Sequence, residues 1–215
     1  MENLNIGVNI VEKDPILIDS KGYKNHLKVR KAIPKDVQDI YYIACTVGTN
    51  KKDSNQGFLV DDYSSDPKYY QKMLLEKVLE LDHFYVAESF NNKVVGFLMA
   101  YTKEQWLKYN RDWLQEVHWH PSFDKTKTEN FIVIDKTAIY APLTGHGIGS
   151  QLYKRLIADI LPKGIHNIFA ETIISPVPNF ASLSFRKKQV YTLAGVRYEA
   201  YMGEMFTDLI YHKSI

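Results

Sequence analysis

The sequence predicts an α/β (α+β) fold: a mixed, mostly antiparallel central sheet of about seven strands flanked by helices. Three observations carry this. Segments with apolar residues at alternate positions repeatedly give way to segments with apolar residues every three or four. Hairpin-like strand pairs stand near both ends of the order of elements. The chain has 215 residues, 45% apolar and 24% charged, enough for one substantial core.

The elements follow in order. Residues 1–26 are polar, lack a clear period and read as an N-terminal extension with room for one short strand. LKVRKAI (27–33) alternates as a strand does. PKDVQDIYYIAC (34–45) is helical, with Pro34 at its first position and Val37, Ile40, Tyr41 and Ala44 on one face. Residues 46–57 are a loop by composition. Asp66 caps a helix that opens on Pro67 and runs to about Leu81. HFYVAES (83–89) and KVVGFLMAYT (93–102) form a hairpin. Residues 103–130 interrupt the rhythm as an insertion. One helix is predicted there, because Trp106, Tyr109, Trp113 and Val117 recur at helical spacing. A strand (131–141), a glycine-rich loop, a helix (148–160), a strand (168–174) and a short helix (178–189) come next. Two strands around Gly203 end the chain.

Composition excludes several function classes. The net charge of +2 argues against nucleic acid and membrane surfaces as partners. No stretch approaches 18 apolar residues, and the first residues lack a signal-peptide pattern. With a single cysteine, Cys45, no internal disulfide forms, so a cytoplasmic protein is expected. Cys45 sits on an apolar helix with no nearby histidine and reads as a structural thiol. His118 and His120 lack an evident third ligand, so no metal is expected.

The segment PLTGHGIGSQLYKR (142–155) places Gly145, Gly147 and Gly149 between a strand and a helix. The first N–H groups of a helix lack intrahelical partners and lie at the positive end of its dipole. Glycine keeps side chains out of the way and permits positive φ. The loop therefore reads as a phosphate cradle, against the alternative of a turn without a ligand. Its spacing is neither that of a Walker loop nor of a dinucleotide fingerprint.

VIDKTAIYAPLTGHGIGSQLYKRLI resembles the acetyl-CoA motif of the GNAT N-acetyltransferase superfamily, with Ile139 at the strand end and Gly147 and Gly149 at the motif glycines. NFASLSF resembles that superfamily's second signature through Asn179, Ser182 and Phe185. Element order from residue 28 to 212 is similar too, so residues 27–215 are expected to form the GNAT-like domain. The resemblance implies that Thr144, Gly145, His146, Gly147, Ile148, Gly149 and Ser150 hold the pyrophosphate of acetyl-CoA. It implies that Ile139, Tyr140 and Ala141 offer a splayed strand edge to the pantetheine. Asn179 is either a ligand contact or a helix cap. Several positions depart from the superfamily pattern: Thr144 replaces Arg or Gln, His146 replaces a basic residue, and Val190-Tyr191 replaces Gly-Phe. Arg186 stands where many members carry a tyrosine able to protonate the leaving thiolate.

The activity this implies is acetyl transfer to a primary amine of a small molecule or peptide by direct attack. The alternatives are a non-catalytic CoA-binding module and transfer of a longer acyl group. An amine must lose a proton before it attacks. Glu171, which interrupts the apolar strand IFAETII, is the leading base, with Asp135 the runner-up. Tyr140 and Tyr191 are candidate acids, Tyr191 the preferred one, against a packing role for each. Asp61, Asp62 and Asp66 form an acidic group suited to a cationic amine, against the alternative of a solvated loop and a cap. Trp106, Trp113 and Trp119 are expected to wall a pocket or meet the partner in a homodimer.

Overall fold

The computed structural model describes residues 27–47, 53–201 and 203–215; the expected extension over 1–26 lies outside them. The strands are β1 (Lys28–Lys31), β2 (His83–Glu88), β3 (Val94–Thr102), β4 (His118–Trp119), β5 (Ile132–Ile139), β6 (Asn167–Ser175), β7 (Thr192–Tyr201) and β8 (Glu204–Ser214). They form one eight-stranded sheet in the order β1-β2-β3-β5-β6-β8-β7-β4. All neighbours are antiparallel except β5 and β6, which run parallel at the middle of the sheet.

The helices are α1 (Val37–Val47), α2 (Pro67–Glu80), α3 (Lys103–Tyr109), α4 (Trp113–Glu116), α5 (Ile148–Ile160) and α6 (Phe180–Lys188). Strand side chains alternate between two apolar layers, as the pleat requires. Phe84, Val86, Phe97, Met99, Val133 and Phe169 join α1, α2 and α4 on one face. Tyr85, Ala87, Leu98, Ala100, Ile132 and Ala170 join α5 on the other. A parallel pair needs a crossover, and α5 with the 3-10 turn after it supplies the one between β5 and β6. No helix among the described residues is long and apolar enough to cross a membrane.

Local chemistry explains most boundaries. Asp66 accepts a hydrogen bond from the Tyr69 N–H at 3.1 Å, capping α2 ahead of Pro67. Pro34 opens a 3-10 turn, and α1 proper begins at Val37. The single helix expected in the insertion is two. Thr102 and Gln105 form a capping box that starts α3, and Asn110 (φ −128°, ψ 63°) ends it before Trp113. The short strand β4 was not expected; it pairs His118 and Trp119 with Val196 and Gly195 of β7, which itself begins four residues earlier than predicted. The insertion's tryptophans neither line the cleft described below nor form an outer wall. Trp113 is fully buried, with its ring centroid 6.1 Å from Trp106, 5.7 Å from Trp119 and 5.8 Å from Phe169.

Candidate active site

The site begins where the parallel pair comes apart. β5 and β6 stay in register only over Ile132–Ile168, Val133–Phe169 and Ile134–Ala170. Beyond Ile134, β5 continues to pair with β3 up to Ile139–Gly96, while β6 follows β8. The Tyr140 N–H donates to the Val95 carbonyl at 2.9 Å. By the alternation of an antiparallel ladder, the backbone groups of Thr137 and Ile139 then turn the other way, into the gap. The Thr137 hydroxyl oxygen is buried there with no partner among the described residues. A cleft of about 440 Å³ occupies the gap and is reached from both faces of the sheet.

On the α5 face, the cleft runs along the glycine loop. Gly145 and Gly147 have φ of 87° and 85°, a region costly for any residue with a Cβ, and a Cβ added to either would meet nothing within 4 Å. The loop is therefore bent by its glycines and stands open, as a cradle must. Gly147 is the N-cap of α5, its carbonyl accepting the Gln151 N–H at 3.2 Å. The N–H groups of Ile148, Gly149 and Ser150 are thus left without intrahelical acceptors beside the cleft. The Phe185 ring packs below Gly149, 3.5 Å from where a Cβ there would be, an ordinary contact distance. Asn179 acts as the cap, accepting from the Ser182 N–H at 3.0 Å and donating to the Phe58 carbonyl at 3.1 Å. It also lines the cleft, so the two readings of Asn179 are compatible.

Most of the expected cofactor residues meet here: Ile139, Thr144, Gly145, Gly147, Ile148, Gly149, Ser150, Asn179, Ser182 and Phe185 all line the cleft. Tyr140, Ala141 and His146 do not. The Tyr140 N–H is used by Val95 and its ring lies 6.1 Å from Tyr42, so the strand edge on offer is Thr137–Ile139 instead. Ala141 opens a 3-10 turn, and His146 Nδ1 turns back to within 3.2 Å of the Leu143 and Thr144 carbonyls. Tyr191 is a correction. It is buried beside Tyr153, with the Arg186 guanidinium 5.3 Å from its ring centroid, and it lies outside the cleft lining. Burial pushes its hydroxyl pKa well above the ordinary tyrosine value, which removes it further from acid chemistry at neutral pH.

On the opposite face the cleft is rich in carboxylates. Glu171 accepts from the Trp113 indole N–H at 2.6 Å and lies 3.5 Å from Arg197. Burial raises its pKa to about 7, partly opposed by Arg197 and Trp113. Asp208 is pushed up to about 6 by burial and by Glu199. Arg197 also binds Glu116 at 2.9 Å and Glu199 at 3.0 Å. Asp135 pairs with Lys136 at 3.3 Å, and Lys136 stands 3.7 Å from Asp61. Asp61 in turn accepts from the Tyr201 hydroxyl at 2.6 Å. The acidic group expected around residue 61 is divided: Asp61 lines the cleft, Asp62 binds the Ser64 N–H and Asp66 caps α2.

Sequence reasoning did not find Lys136, Arg197, Glu199 or Asp208, and it named Trp113 only as pocket wall or dimer contact, not as the donor to Glu171. A signal existed for Asp208. It stands in phase with Phe206 and Ile210 on the buried face of β8, where a lone acid is conspicuous. Arg197 is its direct cross-strand partner. Cys45 is half-buried against the α1 core layer, and burial raises its pKa, as suits a structural thiol. His118 meets Tyr198 edge-on with ring centroids 5.7 Å apart, and His120 meets the Ser122 hydroxyl at 2.8 Å.

Comparison with known proteins agrees with this geometry. Among curated protein sequences none matches. Similar solved structures include Ard1 from Thermoplasma volcanium, 16% identical, covering 88% of this chain and 98% of its own, with a TM-score of 0.59. PaiA N-acetyltransferase from Thermoplasma acidophilum, solved with coenzyme A, is 14% identical over 88% of this chain and 99% of its own, with a TM-score of 0.57. YncA from Salmonella typhimurium, solved with its cofactor acetyl-CoA, is 15% identical over 88% and 94%, with a TM-score of 0.53. These likenesses share the fold. The model of the acetyltransferase (GNAT) family matches residues 52–188, which include the splay, the glycine cradle, Glu171 and α6, and the chain belongs to that family.

Proposed function

We propose that the protein is an acetyl-CoA-dependent N-acetyltransferase that acetylates a primary amine of a small molecule or peptide by direct attack. The observation that supports this best is the placement of Glu171. A carboxylate with a pKa of about 7 faces one side of a cleft whose other side is an open helix N-terminus.

The residues present fit acetyl-CoA. The N–H groups of Ile148, Gly149 and Ser150 suit its diphosphate, and the unpaired backbone of Thr137 and Ile139 suits the pantetheine amides. When bound, acetyl-CoA supplies an acetyl group activated as a thioester. Glu171 then takes the proton that an alkylammonium must give up before its nitrogen can attack. At neutral pH it is near half-ionised, the condition in which a base both exists and holds a proton well. The Ile139 N–H is a donor for negative charge developing on the carbonyl oxygen. Asp61, Asp135, Glu199 and Asp208 outnumber Lys136 and Arg197, a balance that favours a cationic acceptor. The single cysteine favours a cytosolic setting.

Calorimetric titration with acetyl-CoA, followed by thiol release across a panel of primary amines, tests the reading. Binding and amine-dependent release are expected, with mass spectrometry showing an acetylated amine. Binding without release from any amine would reject the enzyme in favour of a non-catalytic module. Gly147→Glu places a charged side chain at a φ of 85° in the cradle. It should weaken acetyl-CoA on the order of 100-fold, about 2.7 kcal/mol; undiminished affinity would reject the cradle.

A further inference from the structure

Arg186 is a buried cation that lacks a counter-charge. It is 7% exposed, and no carboxylate among the described residues lies within ion-pair range. Its partners are hydroxyls: Nε donates to Thr172 at 3.4 Å and Nη1 to Tyr153, while its guanidinium lies over Tyr191. Burying an unpaired charge is costly unless something compensates. Arg186 nevertheless lines the cleft, and no nitrogen of its guanidinium is sealed off without a partner. An anion arriving through the cleft can therefore pair with it.

The place identifies the anion. Thr172 follows Glu171 on β6 and points to the α5 face, so Arg186 reaches the cleft one strand position from Glu171, in the same lining as the Thr137–Ile139 edge. Resting on the function proposed above, we propose that Arg186 holds the departing sulfur of coenzyme A as a thiolate. In the balanced step, the amine nitrogen forms a bond to the acetyl carbon and the C–S bond breaks. The electron pair of that bond stays on sulfur; Glu171 already holds the proton given up by the alkylammonium, and the second proton, lost from nitrogen as the amide forms, goes to water. Sulfur receives its proton from water after release. A guanidinium stays protonated at physiological pH, so it supports the leaving group by charge and hydrogen bonding, where a tyrosine would donate a proton.

The test is the titration of coenzyme A bound to the protein, followed by the ultraviolet absorbance of the thiolate. Groups facing Arg186 are Tyr153 from α5, Tyr191 ahead of β7 and Thr172 from β6; Lys188 of its own helix also lines the cleft. A Glu171→Gln background removes that carboxylate's own titration. The bound thiol should titrate about one to two units below free coenzyme A, as an adjacent cation dictates. Coenzyme A should accordingly bind ~10-fold or more tighter at a pH where it is ionised. Arg186→Met should abolish the shift and Arg186→Lys should keep part of it. An unshifted thiol in the unsubstituted protein overturns the proposal, whether or not the variants fold. It is also overturned if Arg186→Met weakens coenzyme A and acetyl-CoA equally without moving the titration, the mark of a phosphate contact. Failure of coenzyme A to bind at all removes the proposed function itself, and this inference with it.

Discussion

Arg186 and Arg197 are equally buried, each 7% exposed, yet they keep opposite company. Arg197 gathers Glu116, Glu171 and Glu199 within 3.5 Å. Among the described residues, Arg186 meets hydroxyl oxygens and an aromatic ring. The difference shows a cleft polarised through the sheet. On the α1–α4 face the cation is already answered by carboxylates, and surplus acid remains, as the proposed cationic acceptor would need. On the α5 face the helix N-terminus and Arg186 await negative charge. A transferase that couples an amine to a nucleotide-bearing donor needs these two environments to meet at one point, and the β5–β6 splay is where they meet.

The largest expected break of this contrast is Glu171→Gln. It removes the proposed base while keeping shape, so kcat should fall by ~100- to 10,000-fold with acetyl-CoA affinity nearly intact. In the unsubstituted enzyme kcat/KM should rise with pH through about 7, as Glu171 ionises. That limb should vanish from the residual activity of the variant. An unchanged rate means that another group carries the proton.

Arg197→Met attacks the same region from behind. Removing one partner of a buried ion cluster costs roughly 3 kcal/mol. Glu116 and Glu199 are 46% and 34% exposed at their side chains, so rehydration relieves part of this. The informative readout is the pH profile, because Arg197 lowers the Glu171 pKa. Its loss should move the limb upward by about one unit. A variant that is less stable but keeps the same limb would make Arg197 structural only.

How much of this was readable beforehand depends on whether the cause was local. The cradle was legible because positive φ at Gly145 and Gly147 is a demand of the backbone at those positions. Glu171 was legible because an acid inside IFAETII breaks an apolar run, and Arg186 because it departs from a familiar signature. Arg197, Asp208 and the link from Trp113 to Glu171 were not, because they depend on strand register and on an insertion that folds back over 58 residues of sequence separation. Of the two readings of Tyr191, acid or packing, the choice lay equally in tertiary structure: the end of α6 turns its ring inward over Arg186.

A smaller effect pits the acids of the cleft against two buried histidines elsewhere. Burial lowers the pKa of His83 and His212 to about 4, so the unfolded chain binds their protons first as pH falls below the ordinary value of 6.5. They contribute stability that is present above that value and lost toward pH 4. Glu171 and Asp208, raised to about 7 and about 6, do the reverse: the folded state holds their protons, and stability is lost as pH rises through those values. The contributions oppose each other, so Tm of the unsubstituted protein should change little between pH 4 and 7. Glu171→Gln with Asp208→Asn leaves the histidines unopposed, and Tm should then climb with pH across that window. A flat profile in the double variant would remove the acids from this balance.

The smallest expected effect concerns how Arg186 is held. α6 ends in a Schellman arrangement: the Tyr191 N–H donates to the Arg186 carbonyl at 3.0 Å and the Val190 N–H to that of Lys187 at 3.0 Å. The left-handed position of this motif belongs to glycine, yet it holds Val190 at a φ of 59°. A β-branched residue there costs ~1–2 kcal/mol, part of which glycine gives back as unfolded-state entropy. Val190 is 76% exposed, so little packing is lost on truncation. Val190→Gly should therefore stabilise the protein by about 1 kcal/mol, raising Tm by roughly 2–4 °C for a chain of this size. The Arg186 and Tyr191 contact should be left in place, so the thiol titration of bound coenzyme A should be unchanged. An equal or lower Tm would show that the helix end bears no strain at Val190. The seat of Arg186 would then be set by Tyr153 and Thr172 alone.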